Sequence, residues 1–341
     1  MATGRSLLVR LHRCAGLSLA AFLTVAGLTG AVIAFQDELD GWLNPHLRRT
    51  AAGAGAFGSP YDFIAAVERD DPRGRVTFAS LRFREGQAAL YFVKPRVDPA
   101  TGRPYRLDYN QVFVDPATGA IKGKRHWGAF TWDREHLLPS LYEIHYSLFL
   151  PEALSGWFLG LFAAVWLVDS VVGLALTVPR ARPRLVHWLR GWTVKRDAGA
   201  YRRAFDLHRA GGLWFWPVLV LLAVTGFYLR VGDEVVRPVL LQVSSLTPTP
   251  HDLRPERPPT DPVEPVHGFR SIVELATREH RRLGWTGPAS SASYDHLTGI
   301  YAVSFHAPAD AERNIGAPTI HLDGVTDRKS TRLNSSHTDI S

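Results

Sequence analysis

Apolar positions along this chain gather into three long runs separated by stretches of ordinary mixed polarity. The first run extends from about Leu11 to Phe35, and its core AGLSLAAFLTVAGLTGAVIAF carries no charge. A helix of about 20 apolar residues is long enough to cross the hydrocarbon layer of a bilayer. The second run, Gly156 to Val178, reads GWFLGLFAAVWLVDSVVGLALTV and holds the ionisable residue Asp169. The third, Gly211 to Val231, contains Pro217, which membrane helices tolerate. Between the runs the periodicity changes. Tyr61 to Val67 has helical spacing, and strand-like runs follow at Arg75 to Phe83, Ala88 to Val93 and Gln111 to Val114, closing in the turn Asp115 to Gly119. After the Pro-rich stretch Thr247 to Pro265, Ser271 to Arg282 reads as helix, with strands at Ile300 to His306 and Thr319 to Asp323.

The pattern predicts a membrane protein of mixed class, an α-helical transmembrane bundle with two extracytoplasmic α+β domains. The expected boundaries are spans at 11–36, 154–178 and 207–231, α+β domains at 60–125 and 266–326, and a basic loop at 179–206. Residues 327–341 stand apart: Asp327 to His337 reads DRKSTRLNSSH, resembling one reading frame of a sequencing adapter. They are set aside from the fold as an artefactual tail. The natural chain is expected to continue past Thr326 into a fourth span.

Charge settles the expected orientation. Lys and Arg number 39 against 32 Asp and Glu, a formal +7. The excess sits beside the apolar runs rather than on a separate basic face, so nucleic acid is not the expected partner. Arg5, Arg10 and Arg13 flank the first span, and nine basic residues from Arg180 to Arg209 lie between the second and third. Positive flanks stay cytoplasmic, which places residues 1–10 inside and both α+β segments outside. The first run has no small-residue cleavage site ahead of a polar start, so a retained anchor is expected. The single cysteine, Cys14, excludes an internal disulfide or a cysteine metal site.

A repeat sharpens the picture. Leu11-His12-Arg13-Cys14-Ala15-Gly16-Leu17 matches Leu207-His208-Arg209-Ala210-Gly211-Gly212-Leu213, and Thr29-Gly30 matches Thr225-Gly226, all at a step of 196 residues. This pattern suggests a duplicated unit of span, outer domain, span. It sets His12 and His208 at one depth near the cytoplasmic face, on helices running in the same direction. Ionisable residues in a span are functional candidates, and facing histidines on neighbouring helices are how bundles ligate haem iron. Arg13 and Arg209 follow them, as propionate partners or as plain topological charge. His145, at the opposite entry to the second span, is the other candidate ligand. His136 lies half a turn off the same helical face and cannot share a metal with it. A partner for His145 is expected on the fourth span. Gly16, Gly30, Gly212 and Gly226 would admit either a macrocycle or a packed helix. Asp169 needs a partner inside the bundle, for structure or for proton handling. Trp157, Trp166, Trp214 and Trp216 read as packing aromatics, and His251, His267, His280, His296, His306 and His321 as surface residues. No dinucleotide fingerprint, P-loop, nucleophile elbow or HExxH occurs.

The pieces LHRCAGL with GLTG, DPATGAIKG, IHYSLFLP with the second span, and DLHRAGGLWFWPVLVLLAVTGFYL together resemble the PepSY-associated transmembrane family. The resemblance runs from about residue 7 to 326. It implies a multi-pass protein of the bacterial inner membrane with two PepSY domains outside. It further implies haem b with His12, His208 and His145 as axial ligands, a cytoplasmic electron donor, and reduction of ferric siderophores in iron acquisition. Two other functions stay open: a membrane-anchored PepSY binding or regulatory module without enzymatic activity, and a transporter of iron or siderophore.

Overall fold

The computed structural model describes residues 2–51, 56–245, 254–306 and 318–325. The tail set aside at 327–341, Thr326 and His251 lie outside them. In chain order the helices are α1 (Ala2–Ile33), α2 (Gln36–Leu43), α3 (Pro45–Arg48), α4 (Pro60–Asp70), α5 (Leu137–Tyr146), α6 (Glu152–Thr177), α7 (Arg184–Leu189), α8 (Ala200–Val231), α9 (Arg237–Leu240) and α10 (Phe269–Arg282). The strands are β1 (Gly74–Ser80), β2 (Ala89–Pro95), β3 (Val97–Asp98), β4 (Arg103–Pro104), β5 (Gln111–Val114), β6 (Ile121–Arg125), β7 (Ala289–Asp295), β8 (Ile300–Phe305) and β9 (Thr319–Asp323). They divide into two compact units, a helical one within 1–34 and 141–246 and a sheet unit within 35–140 and 247–341.

In the helical unit, α1, α6 and α8 are each long and apolar enough to cross a membrane. Their hydroxyls turn inward: Thr24 Oγ1 donates to Ala20 O (2.7 Å) and Thr29 Oγ1 to Val25 O (2.8 Å). Such back-bonding lets an apolar helix carry Thr without a stranded donor. α6 packs against both α1 and α8. Phe22 meets Phe162 at 4.6 Å between α1 and α6, and Trp216 Nε1 donates to Ser170 O (3.0 Å) between α8 and α6. Both α1 and α8 begin earlier than the hydropathy suggested. Helical hydrogen bonding continues through the basic flanks, so His12 and His208 lie two to three turns inside their helices rather than at their openings.

The sheet unit is built on a seven-stranded antiparallel sheet in the order β6-β5-β2-β1-β7-β8-β9, beside which β3 and β4 pair as a short two-stranded ribbon. The segments read from sequence as two small domains are joined through their first strands, β1 and β7. Phe78 pairs with Ser293, Ala79 with Ala292 and Ser80 with Ser291. Helices α4 and α10 cover the same core. α4 buries Phe63, Ile64 and Val67, and α10 buries Phe269, Ile272, Val273, Ala276 and His280. This is the spacing of an amphipathic helix laid on a sheet. On the other side, α2 and α3 are pinned by a buried ion pair, Arg125 Nη1 to Asp40 Oδ1 at 2.9 Å. Asn44 Nδ2 also donates to Asp40 (2.8 Å), and Gln111 Oε1 accepts from Arg125 Nε (3.0 Å), as a buried ion pair requires. His280 corrects an expectation. It is only 1% exposed and stacks on Phe305 at 4.0 Å, because it occupies the apolar stripe of α10 rather than the surface.

Candidate functional site

The repeat places His12 on α1 and His208 on α8, and the fold brings their rings together. The ring centroids are 6.1 Å apart with planes inclined at 48°. The third participant comes from α6: Asp169 Oδ1 lies 2.9 Å from His12 Nδ1. The α1–α6 seam is antiparallel, and its pairs interlock one turn apart. A Cβ on Gly173 would stand 3.2 Å from His12 Cε1, and one on Gly16 3.9 Å from Asp169 Oδ2. Asp169 and Gly173 are four residues apart on one face of α6, as His12 and Gly16 are on α1. The imidazole of His12 therefore lies in a groove that Gly173 keeps open and Asp169 anchors. Gly173 escaped the sequence reading, although its place four residues after the only acidic residue of the span marks it.

The arginines that follow the two histidines differ. Arg13 is exposed, and no hydrogen bond or ion pair engages it among the described residues. Arg209 Nη2 donates to Asp206 Oδ1 (2.9 Å) and its Nε to Gly191 O (3.2 Å). Asp206 has a fully buried side chain and also accepts from Arg202 Nε at 3.1 Å. A buried carboxylate holds its cations closely, so Arg209 is a structural arginine here, and only Arg13 remains available to an anionic ligand. The sequence reading missed Asp206, which the i, i+3 and i−4 spacing to Arg209 and Arg202 could have shown.

His145 lies elsewhere in the helical unit, against the last turn of α1. Its Nδ1 donates to Ala26 O (3.0 Å) and sits 3.2 Å from Thr29 Oγ1. A Cβ on Gly30 would come within 2.9 Å of its Cε1, so the Cε1 edge of the ring faces that glycine. Gly30 is 18 residues beyond His12, roughly 27 Å of helix. That is close to the thickness of a bilayer core, about 30 Å. Among the described residues no second histidine ring meets His145, and His136 instead pairs with Asp133 (2.8 Å) at the start of α5. Beside His145, Arg230 lies over the Tyr146 ring at 4.6 Å and donates to Ser155 Oγ (2.9 Å). Of the tryptophans, Trp214 donates to Trp192 O (3.1 Å) and Trp216 to Ser170 O.

Two histidine rings and a carboxylate thus gather between three helices that can span a bilayer. A family model described as the PepSY-associated TM region matches residues 9–331. The chain belongs to this family. As a PepSY-associated TM protein it is a membrane protein, and α1, α6 and α8 are its membrane helices. Among curated proteins none matches the chain. Across this PepSY-associated chain no cluster of three or more His, Cys, Asp or Glu suited to a bare metal ion occurs among the described residues. What the geometry offers is two imidazoles facing one another, one of them held by a carboxylate.

Proposed function

We propose that this PepSY-associated protein transfers electrons through the bacterial inner membrane, using a haem b held by His12 and His208. The observation that carries the reading is the 6.1 Å between the two ring centroids. Two imidazoles that shared one metal would each stand off from it by a bond of about 2.0–2.1 Å. With the half-width of each ring, this sets the centres roughly 6 Å apart. The donor set fits as well: neutral imidazole nitrogens from two helices are a usual way for a bundle to hold haem iron. Arg13, one residue from His12 and without a bonded partner among the described residues, would be a cation to pair with a propionate. A bound haem supplies a reversible one-electron store, Fe³⁺ to Fe²⁺.

The family resemblance carries the substrate class. One electron given to a ferric siderophore yields Fe²⁺, which hard oxygen chelators hold less tightly, and the iron is released. In this reading the donor is cytoplasmic, the N-terminus faces it, and the sheet unit lies on the outer side as the PepSY part. His145 would be the candidate ligand of a second haem at the far end of α1.

A reduced-minus-oxidised visible spectrum tests the reading, taken on the purified chain beside His12→Ala and His208→Ala. A b-type signal in the parent that disappears in both variants is the expected result. A folded parent without that signal would sink the ligand pair and turn attention to a membrane-anchored binding module. Iron uptake that proceeds with no redox change would point to transport instead.

A further inference from the structure

The two histidines of the candidate site are matched in sequence but not in how they are held. His12 Nδ1 meets Asp169 at 2.9 Å, whereas no side-chain hydrogen bond to His208 is found among the described residues. We infer that Asp169 is a positioning residue for His12: it accepts the Nδ1 proton, fixes the tautomer and leaves Nε2 as the metal-binding nitrogen. This inference rests on the haem reading above.

First, Asp169 sits eight residues before the end of α6, about 12 Å inside that helix. Its side chain is 12% exposed, and His12 is its one bonded partner among the described residues. A carboxylate at membrane depth without a partner is costly, so the pairing with His12 is built into the span. Second, α6 shapes the ring's seat as well as anchoring it. A Cβ at Gly173 would stand 3.2 Å from Cε1, tighter than ordinary contact, so the glycine leaves the ring its seat beside Asp169. An anchor and a gap at i and i+4 fix both the direction and the plane of the ring. Third, a carboxylate bonded to Nδ1–H raises the basicity of the opposite nitrogen. A more basic axial ligand favours Fe³⁺ over Fe²⁺, so the pair lowers the reduction potential.

The test compares the parent with Asp169→Asn and Asp169→Ala in purified, folded protein. It reads haem affinity by titrating the haem-depleted chain and the midpoint potential by spectroelectrochemistry. Asp169→Asn keeps the size and an acceptor but removes the charge. It should retain the two-histidine spectrum with a midpoint about 60 mV more positive, a tenfold loss of preference for Fe³⁺ at 59 mV per decade for one electron. Asp169→Ala should bind haem about 10- to 100-fold more weakly. Should the alanine variant fail to fold, the potential of the asparagine variant decides alone. Haem bound by both variants with the parent's affinity and potential would overturn this inference and leave the haem reading standing. A folded parent that takes up no haem would overturn both.

Discussion

The segments around His12 and His208 share a sequence but not a set of neighbours. Among the described residues, in the first the histidine is tied to Asp169 of α6 and its arginine has no bonded partner; in the second the histidine has no side-chain hydrogen bond and its arginine is tied to Asp206. The same holds one level up the helices. Thr29 and Gly30 receive the ring of His145, whereas a Cβ at the matched Gly226 meets nothing within 4 Å. Yet the local backbone is alike: Thr225 Oγ1 donates to Leu221 O (2.9 Å) just as Thr29 Oγ1 donates to Val25 O (2.8 Å). Duplication thus fixes where a functional side chain sits along a helix. The helix packed against it fixes what that side chain can do. α6 packs against both α1 and α8, and it carries Asp169 and Gly173. Among the described residues the asymmetry of the site comes from α6, which gives Asp169 to His12.

Exchanging the arginines should expose the asymmetry most strongly after the histidine and Asp169 variants. Arg209→Ala withdraws one of two guanidinium groups from a carboxylate with no exposed surface. A buried charge that loses a partner is strongly unfavourable, so its thermal midpoint should fall by several degrees. Arg13→Ala, at an exposed position with no partner, should melt within about a degree of the parent. If the site holds haem, however, Arg13→Ala should change its spectrum or potential. Equal melting temperatures for the two variants would break the assignment of Arg209 as structural.

A smaller effect separates the two glycines. Gly30→Ala drives a methyl group to 2.9 Å from His145 Cε1, and overpacking of this kind costs about 1–3 kcal/mol. Gly226→Ala enters open space and should be neutral, or stabilising by up to about 1 kcal/mol through better helix propensity. Thermal melts of the two single variants check the contrast. A silent Gly30→Ala would mean that His145 does not rest on that turn.

Much of the helical unit was legible in the sequence, for a simple reason. An uncharged run of about 20 residues has few places to fold other than a bilayer, and two such runs with matched His-Arg openings announce a repeat. The partner of His12 was not legible, because Asp169 meets it across an antiparallel seam, 157 residues away. The joining of both halves into one seven-stranded sheet was hidden for the same reason. Its joining pair, Phe78 with Ser293, depends on chain separated by more than two hundred residues, while each half alone shows only helix and strand periodicities. Other misses were avoidable. His280 follows Ile272, Val273 and Ala276 on the apolar stripe of α10, a spacing that marks it as buried. The turn Asp115 to Gly119 has close copies at Asp98 to Gly102 and Asp295 to Gly299. In each copy the aspartate accepts from the backbone N–H two residues on, at 2.9 Å, as that motif requires.

The contrast between halves extends into the sheet unit, where pH should reveal it. Beside α4, Asp71 accepts from Arg73 and from the Tyr109 hydroxyl (3.1 Å), and the Arg73 hydrogen bond leads in holding its pKa at about 2, below the usual 3.8. A carboxyl depressed in the fold contributes stability above 3.8 that disappears as pH falls toward 2. Near the end of α10, burial first and then the charge of Arg281 push the His280 pKa below 6.5. A histidine kept neutral by the fold contributes fully above 6.5 and loses that contribution as pH falls below it. Mild acid should therefore loosen α10 while α4 stays closed, and only stronger acid should open α4. Hydrogen exchange, corrected for the intrinsic pH dependence, can follow the amides of both helices from neutral pH into mild acid. His280→Phe keeps a ring to stack on Phe305 and removes the titrating group, so the acid sensitivity of α10 should vanish. If α4 and α10 open together in the parent, or if α10 stays acid-sensitive in His280→Phe, the two halves share one stability and the contrast is confined to the membrane helices.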